Sequence, residues 1–348
     1  MRIMYGFFIS IGLLLAACQD DGPIPMESTG FDEGQALERG LNPDSLKQAI
    51  RNASNLPNFY GLLVVKDNEL VVEEYFNGKT ANDHYHLRSI TKNFTSALTG
   101  IAIEEGLIDS LDLPVTAHFS DLDVSKEAIT IKHLLNMTSG LQWNEGNEVI
   151  PLIEHRIQMP VNNYLSRTLT SSPGSSYNYS SVSPHVVATL ISDRTNGSYA
   201  TYATDKLFSP LGIANFKWEK DPQGNEWGGF GLQLLPADLV KFGQLYLNKG
   251  DWNNLPVVPN NWVELSQSAQ ITIPNSSTAY SLQWYVADNL KYKVYYGQGF
   301  GGQALMLIPG KNMMIIGLQE YLVSFQQSRI QWNGFLKEVF NPVYGALN

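Results

Sequence analysis

The β-forming segments of this chain lie at its two ends, and this separation constrains the fold more than any other feature of the sequence. Residues 60–65 and 70–76 are β-rich runs on either side of Lys66-Asp67-Asn68-Glu69, which reads as a hairpin turn. Far downstream, residues 293–296, 303–308 and 313–318 read as further strands, the last two joined by the turn Pro309-Gly310-Lys311-Asn312. The middle has a helical texture. Residues 89–105 carry Phe94, Ala97, Leu98, Ile101 and Ala102 at helical spacing, with Gly106 available as the stop. Shorter helices are expected at 131–136, 184–194 and 236–247, and a final amphipathic one at 324–340. Strands at both ends with helices between imply one antiparallel sheet built from both termini, flanked by helices and holding an inserted, mostly helical region. The expected class is α+β, with the sheet part at about 58–85 and 280–348 and the helical part at about 90–280. Past the leader we find no internal repeat and no low-complexity tract.

With 348 residues, 43% hydrophobic and 16% charged, the chain can bury a substantial core, which excludes global disorder. The net charge is -10 and no Lys/Arg-rich block occurs, so nucleic acid is not an expected partner. Met1-Arg2 precedes an apolar run from Ile3 to Ala17, suited to a signal-peptide core and too short to span a bilayer. It ends in Leu15-Ala16-Ala17-Cys18, and Cys18 is the single cysteine. This resembles a bacterial lipoprotein signal, in which small residues precede a lipidated cysteine. The expected organisation is a signal peptide at 1–17, a lipid-anchored polar tether at 18–35 and one domain at 36–348. By that resemblance the protein is exported and held at the membrane of the cell envelope through Cys18. Disulfides play no part.

One pair of side chains suggests chemistry. In Ser89-Ile90-Thr91-Lys92 the two polar residues are three apart, so on a helix Lys92 sits one turn above Ser89. At a helix start, the positive end of the dipole disfavours a protonated lysine, and free N–H groups can stabilise an oxyanion. A serine hydroxyl needs such a neighbour to act as a nucleophile.

The surrounding residues are more specific. His86-Leu87-Arg88-Ser89-Ile90-Thr91-Lys92-Asn93-Phe94, then Gly100 to Ile108 and Leu111-Asp112, resemble the β-lactamase-related serine hydrolases: class C β-lactamases, penicillin-binding carboxypeptidases, esterases and aminohexanoate-oligomer hydrolases. Ile131-Lys132-His133-Leu134-Leu135-Asn136-Met137-Thr138-Ser139-Gly140-Leu141 is similar to a second block of that family, and Pro210-Leu211-Gly212-Ile213 and Gly228-Gly229 through Gly243-Gln244-Leu245 resemble later ones, in the right order. The resemblance implies a β-lactamase/transpeptidase-like fold with Ser89 as nucleophile and Lys92 as base. It also places the catalytic tyrosine at Tyr179, five residues after the glycine of Pro173-Gly174, where a nearby amine would lower the phenol's pKa. Ser181 stands where the family usually has the Asn of Tyr-x-Asn, leaving one polar atom with a shorter reach for the substrate amide. The third element, Tyr296-Gly297-Gln298-Gly299-Phe300-Gly301-Gly302-Gln303, lacks the cation of Lys-Thr-Gly. That form is similar to the esterase and aminohexanoate-oligomer branch and argues against tight recognition of a substrate carboxylate. By resemblance the Ser89 and Phe300 N–H groups form the oxyanion hole, with Ser181, Gln298 and Gly299 touching the substrate.

Two-step hydrolysis of a small ester, amide or β-lactam is therefore expected, with no cofactor. The alternatives are a β-lactamase or D-Ala-D-Ala carboxypeptidase acting on peptidoglycan, and a catalytically silent surface protein that binds glycans or partners. A Ser-His-Asp triad fits poorly, because no Gly-x-Ser-x-Gly elbow exists. His84 and His86 form a His-x-His pair with no third ligand in the sequence, so no metal is expected. Substrate and oligomeric state are left open.

Overall fold

The computed structural model describes residues 30–195 and 197–347. The signal peptide at 1–17, Cys18 and the tether as far as 29 lie outside these residues.

Nine antiparallel strands form the main sheet: β1 Gly30–Phe31, β2 Phe59–Lys66, β3 Glu69–Tyr75, β4 Ile271–Thr272, β5 Ala279–Ser281, β6 Trp284–Ala287, β7 Val294–Gly299, β8 Gln303–Ile308 and β9 Met313–Gln319. Their order is β1-β3-β2-β9-β8-β7-β6-β5-β4. The two chain ends meet at β2 and β9, where Leu63 pairs with Ile316 and Val65 with Met314. The β-lactamase/transpeptidase-like architecture expected from the resemblance is the one observed. Three short strands, β4 to β6, were missed because their apolar residues form no run long enough to read.

The chain joins this sheet earlier than composition suggested. Gly30 pairs with Glu73 and Phe31 with Val72, so the last residues assigned to the tether are an edge strand. Asp32 then caps the next helical turn by accepting from the Gln35 N–H.

Both faces of the sheet are covered, which is why β2, β8 and β9 are continuously apolar rather than alternating. Leu62, Val64, Met306 and Ile315 face helix α1 (Pro43–Asn55) and the C-terminal helices. Asn42 caps α1 with bonds from the Asp44 and Ser45 N–H groups, Pro43 fits its first position, and Leu46, Ala49 and Ala53 turn inward. Leu63, Val65, Leu305 and Ile316 face the inserted helical region. There α2 (Thr91–Glu104) is buried from Thr91 through Ala102, α3 is Glu145–Ile153 and α4 is Pro236–Leu247. Phe94 of α2 stacks on Phe242 of α4 at 3.7 Å between ring centroids. α2 is a central helix with no solvent face along most of its length. A helix at 145–153 was not foreseen, since Pro151 interrupts its pattern. The last expected helix is present as α5 (Phe325–Gly334), which continues through Phe335–Phe340 to Asn341–Gly345.

Ser89 does not open α2. It lies in a 3₁₀ turn, Arg88–Ile90, just before it. Arg88 adopts a left-handed φ of 51°, and its N–H donates to His86 Nδ1 at 3.0 Å, so the chain turns sharply before helical geometry begins. A small sheet of Tyr85–His86, Lys217–Trp218 and Leu232–Leu234 holds the approach to this turn.

β7 lies against the same turn. A Cβ on Gly297 would stand 2.2 Å from Asn93 Oδ1, and one on Gly299 would stand 2.5 Å from the Leu87 carbonyl. The glycines of Gly297-Gln298-Gly299 therefore serve close approach of a strand to the serine turn. Gly299→Ala forces the two apart. We expect it to lower the urea midpoint by an amount corresponding to about 1–3 kcal/mol, whereas an unchanged midpoint would show that the turn yields freely.

Candidate active site

Three separate segments converge on Ser89. The first is its own turn and α2, which carries Lys92 one turn on. Lys92 Nζ lies 3.0 Å from Ser89 Oγ, 3.2 Å from Ser181 Oγ and 2.6 Å from the Gly229 carbonyl. The side chain is 1% exposed and has no carboxylate partner at ion-pair distance among the described residues. Burial disfavours the ammonium form and pulls the pKa down to about 7, opposed by the charge of Glu145 and assisted by that of Arg88.

These contacts fix the direction of the amine. A neutral amine has two N–H donors and one lone pair. With the donors on the Gly229 carbonyl and on Ser181 Oγ, the lone pair is left for the Ser89 hydroxyl proton. The Gly229 carbonyl can come this close because residues 228 and 229 lack side chains: a Cβ on Gly229 would stand 2.0 Å from the Ser181 carbonyl.

The second segment runs from Pro173 to Ser181. Gly174 takes a left-handed φ of 83°, its N–H donates to the Thr138 carbonyl at 2.8 Å, and the Asn178 N–H donates to the Met137 carbonyl at 2.7 Å. The second sequence block thus acts as a backing for this loop. Tyr179 borders the same cavity as Ser89, with Lys92 Nζ 4.9 Å from the ring centroid. Its expected acidity is not observed. Burial, then Tyr285 and Glu145, push the phenol well above 10 and outweigh the effects of Ser89 and Arg88. A phenol in this setting stays protonated at neutral pH, so the group that titrates near neutrality is Lys92.

The third segment is the β7–β8 turn. Gly301 and Gly302 take φ values of 84° and 88°, and the turn is pinned by Gln331 Nε2 on the Gly301 carbonyl (2.5 Å) and Gln319 Nε2 on the Gly302 carbonyl (2.7 Å). Gln298, Gly299 and Phe300 thereby line a cavity of about 880 Å³ together with Ser89, Tyr179 and Ser181. Of the residues inferred for the hydrolase site, all but Lys92 border this space, and Lys92 lies directly behind Ser89.

Two charged residues in the wall were not foreseen. Glu145, the first residue of α3, accepts from the Ser181 N–H at 2.9 Å, from Ser181 Oγ and from Trp143 Nε1 at 2.8 Å. Because Ser181 donates its hydroxyl proton to Glu145, it offers Lys92 a lone pair. The substitution of serine for the family's asparagine is therefore matched by an acid on a neighbouring helix. The available signal was Asn144-Glu145, a helix start just after the second block. Arg88 was quoted only as part of the serine motif; its guanidinium also faces the cavity. His84 and His86 are used structurally, with His84 Nε2 3.2 Å from the Asn215 carbonyl and His86 Nε2 3.3 Å from Glu219 Oε1.

The family model described as Beta-lactamase matches residues 46–326, and the chain belongs to that family. It is similar to the 6-aminohexanoate-dimer hydrolase of Paenarthrobacter ureafaciens, 25% identical over 311 residues that span 82% of this chain and 78% of that protein. Among solved structures it is similar to the D-alanine carboxypeptidase AmpC of Burkholderia cenocepacia (TM-score 0.63, 16% identity, 85% of this chain and 99% of that one). A D-stereospecific amidohydrolase from Streptomyces is similar too (TM-score 0.64, 17% identity, 83% and 98%).

The charge of Glu145 favours protonated Lys92, so its removal lowers the lysine pKa further. In Glu145→Gln, NMR titration of the Lys92 ε-carbon should show a midpoint below that of the wild type. A midpoint that stays or rises would mean that Ser181, not the carboxylate charge, sets the lysine.

Proposed function

We propose that the protein is a serine hydrolase that cleaves ester or amide bonds through an acyl-enzyme on Ser89. The observation that carries this reading is the buried Lys92 amine 3.0 Å from Ser89 Oγ, with no carboxylate partner at ion-pair distance among the described residues. Family membership supports acyl transfer as the reaction class, and the 6-aminohexanoate-dimer hydrolase supports linear amides among the substrates.

In the first step the Ser89 hydroxyl proton passes to neutral Lys92 as Oγ bonds to the substrate carbonyl carbon. The N–H groups of Ser89 and Phe300 receive the oxyanion. When the tetrahedral adduct collapses, the leaving group takes a proton from Tyr179, which is resupplied by the lysinium. Water then attacks the Ser89 ester with the same pair as base, releasing the acid and restoring the serine. Lys92 and Tyr179 act as one coupled system in this scheme. Ser181 and Gln298 bound the space occupied by the acyl carbonyl and leaving group.

We further infer export and lipid attachment at Cys18, on the strength of Leu15-Ala16-Ala17-Cys18 following the apolar run. Labelled palmitate should enter the wild type and not Cys18→Ser.

Intact-mass analysis after a fluorophosphonate probe tests the nucleophile: one adduct on the wild type and none on Ser89→Ala is expected. An adduct on both places the nucleophile elsewhere, and none on either favours a silent binding protein. Ring-opened penicillin on Ser89 would move the reading toward the β-lactamase and carboxypeptidase branch. Because Lys92 must be neutral to accept the proton, kcat/KM for an uncharged ester should rise with pH through about 7 and level off above it. A profile that falls over that range contradicts lysine as the base. Lys92→Met should cost about 10²- to 10⁴-fold in kcat.

A further inference from the structure

The cation that the sequence reading found missing from the β7–β8 turn is present in the cavity, on the residue before the nucleophile. We propose that Arg88 binds a carboxylate on the substrate, so that the acyl compounds cleaved here are anionic. This deepens the hydrolase reading and rests on it.

The guanidinium lies among three aromatic rings, 5.9 Å from the Phe230 centroid, 5.7 Å from Phe300 and 5.7 Å from Tyr321. Ring faces attract the cation but do not accept its in-plane N–H bonds as an oxygen does. Arg88 Nε is buried without a hydrogen-bond partner, and no carboxylate of the described residues lies at ion-pair distance. The nearest candidates are engaged elsewhere: Glu219 with His86 at 3.3 Å, and Glu145 with Ser181 and Trp143. A planar fork with unmet donors, facing a cavity that also exposes Ser89, suits a bidentate carboxylate.

The backbone strengthens the assignment. Arg88 holds a φ of 51°, a conformation that glycine adopts freely and an arginine only with strain. Nothing in the turn requires a side chain there: the His86 bond comes from the Arg88 N–H, and the bond from Thr91 Oγ1 goes to its carbonyl. A long cationic side chain in a strained position is explained by what it reaches. The wall of the same cavity also carries exposed apolar side chains, with Ile150 40%, Leu322 76% and Phe325 47% exposed. The class of ligand that matches is an ester or amide with an apolar chain and one carboxylate.

The test compares kcat/KM for paired esters in wild type, Arg88→Met and Arg88→Lys. One pair, 4-nitrophenyl butyrate and mono-4-nitrophenyl glutarate, places the charge on the acyl side. The other, phenyl butyrate and 3-butyryloxybenzoate, places it on the leaving group. In the wild type the charged member of one pair should be favoured about 10- to 100-fold, mainly through KM. That ratio should fall toward one in Arg88→Met and recover partly in Arg88→Lys. A wild type that favours the neutral member of both pairs overturns the assignment, as does a ratio unmoved by Arg88→Met. A second measurement does not depend on turnover: calorimetric binding of glutarate to Ser89→Ala and to Ser89→Ala/Arg88→Met. Binding only with the arginine supports the subsite even if no ester is hydrolysed. Binding by both or by neither overturns it, while a fluorophosphonate adduct on Ser89 would leave the hydrolase reading standing.

Discussion

The structure around the active site depends on keeping one lysine amine out of water without giving it a counter-ion. An ammonium so buried is unfavourable, and a carboxylate at bonding distance would restore the charged form. The protein meets this with uncharged acceptors, a backbone carbonyl from Gly229 and the Ser181 hydroxyl, and keeps the nearest acid one residue removed. Glu145 then acts through space and through Ser181, holding the lysine near neutrality rather than far below it.

That requirement explains much of the architecture. α2 is buried from Thr91 through Ala102, which encloses the amine it carries, and Gly100 lets Trp262 lie against the helix, where a Cβ would be 2.4 Å from the ring. Backbones approach the site where side chains are absent, at Gly229, Gly297 and Gly299. The sheet contributes rigidity. With a core on each face, β7 is fixed against the serine turn, and its last residues, Gln298 and Gly299, line the cavity.

The sequence made the outline of the fold legible because strands and helices are segregated along it and their apolar periods differ. It also made Ser89, Lys92 and Tyr179 legible, since their spacing belongs to ordered motifs. The remainder depended on tertiary placement. Nothing in Ser181 alone reveals that its proton points at Glu145, and nothing in Arg88 reveals a left-handed turn that aims it into the cavity. The direction of the Tyr179 shift was misjudged for the same reason: the amine was foreseen, whereas the burial and the Tyr285 hydroxyl that outweigh it come from other segments. β4 to β6 are too short for a local pattern, and they form because β7 offers an edge.

The pairing of β2 with β9 also sets an order of events. The hairpin of β2 and β3 is synthesised before the helical region, yet the partner that covers its inner edge is synthesised only after that region. Until then Leu62 to Val65 present an apolar edge with unmet backbone donors and acceptors, the kind of surface that aggregates or recruits a chaperone. Contacts of such long sequence separation make folding slow and postpone it until β9 has been made. A nascent chain of this design therefore remains open until β9 has emerged, and the pocket around Lys92 closes only after the sheet does.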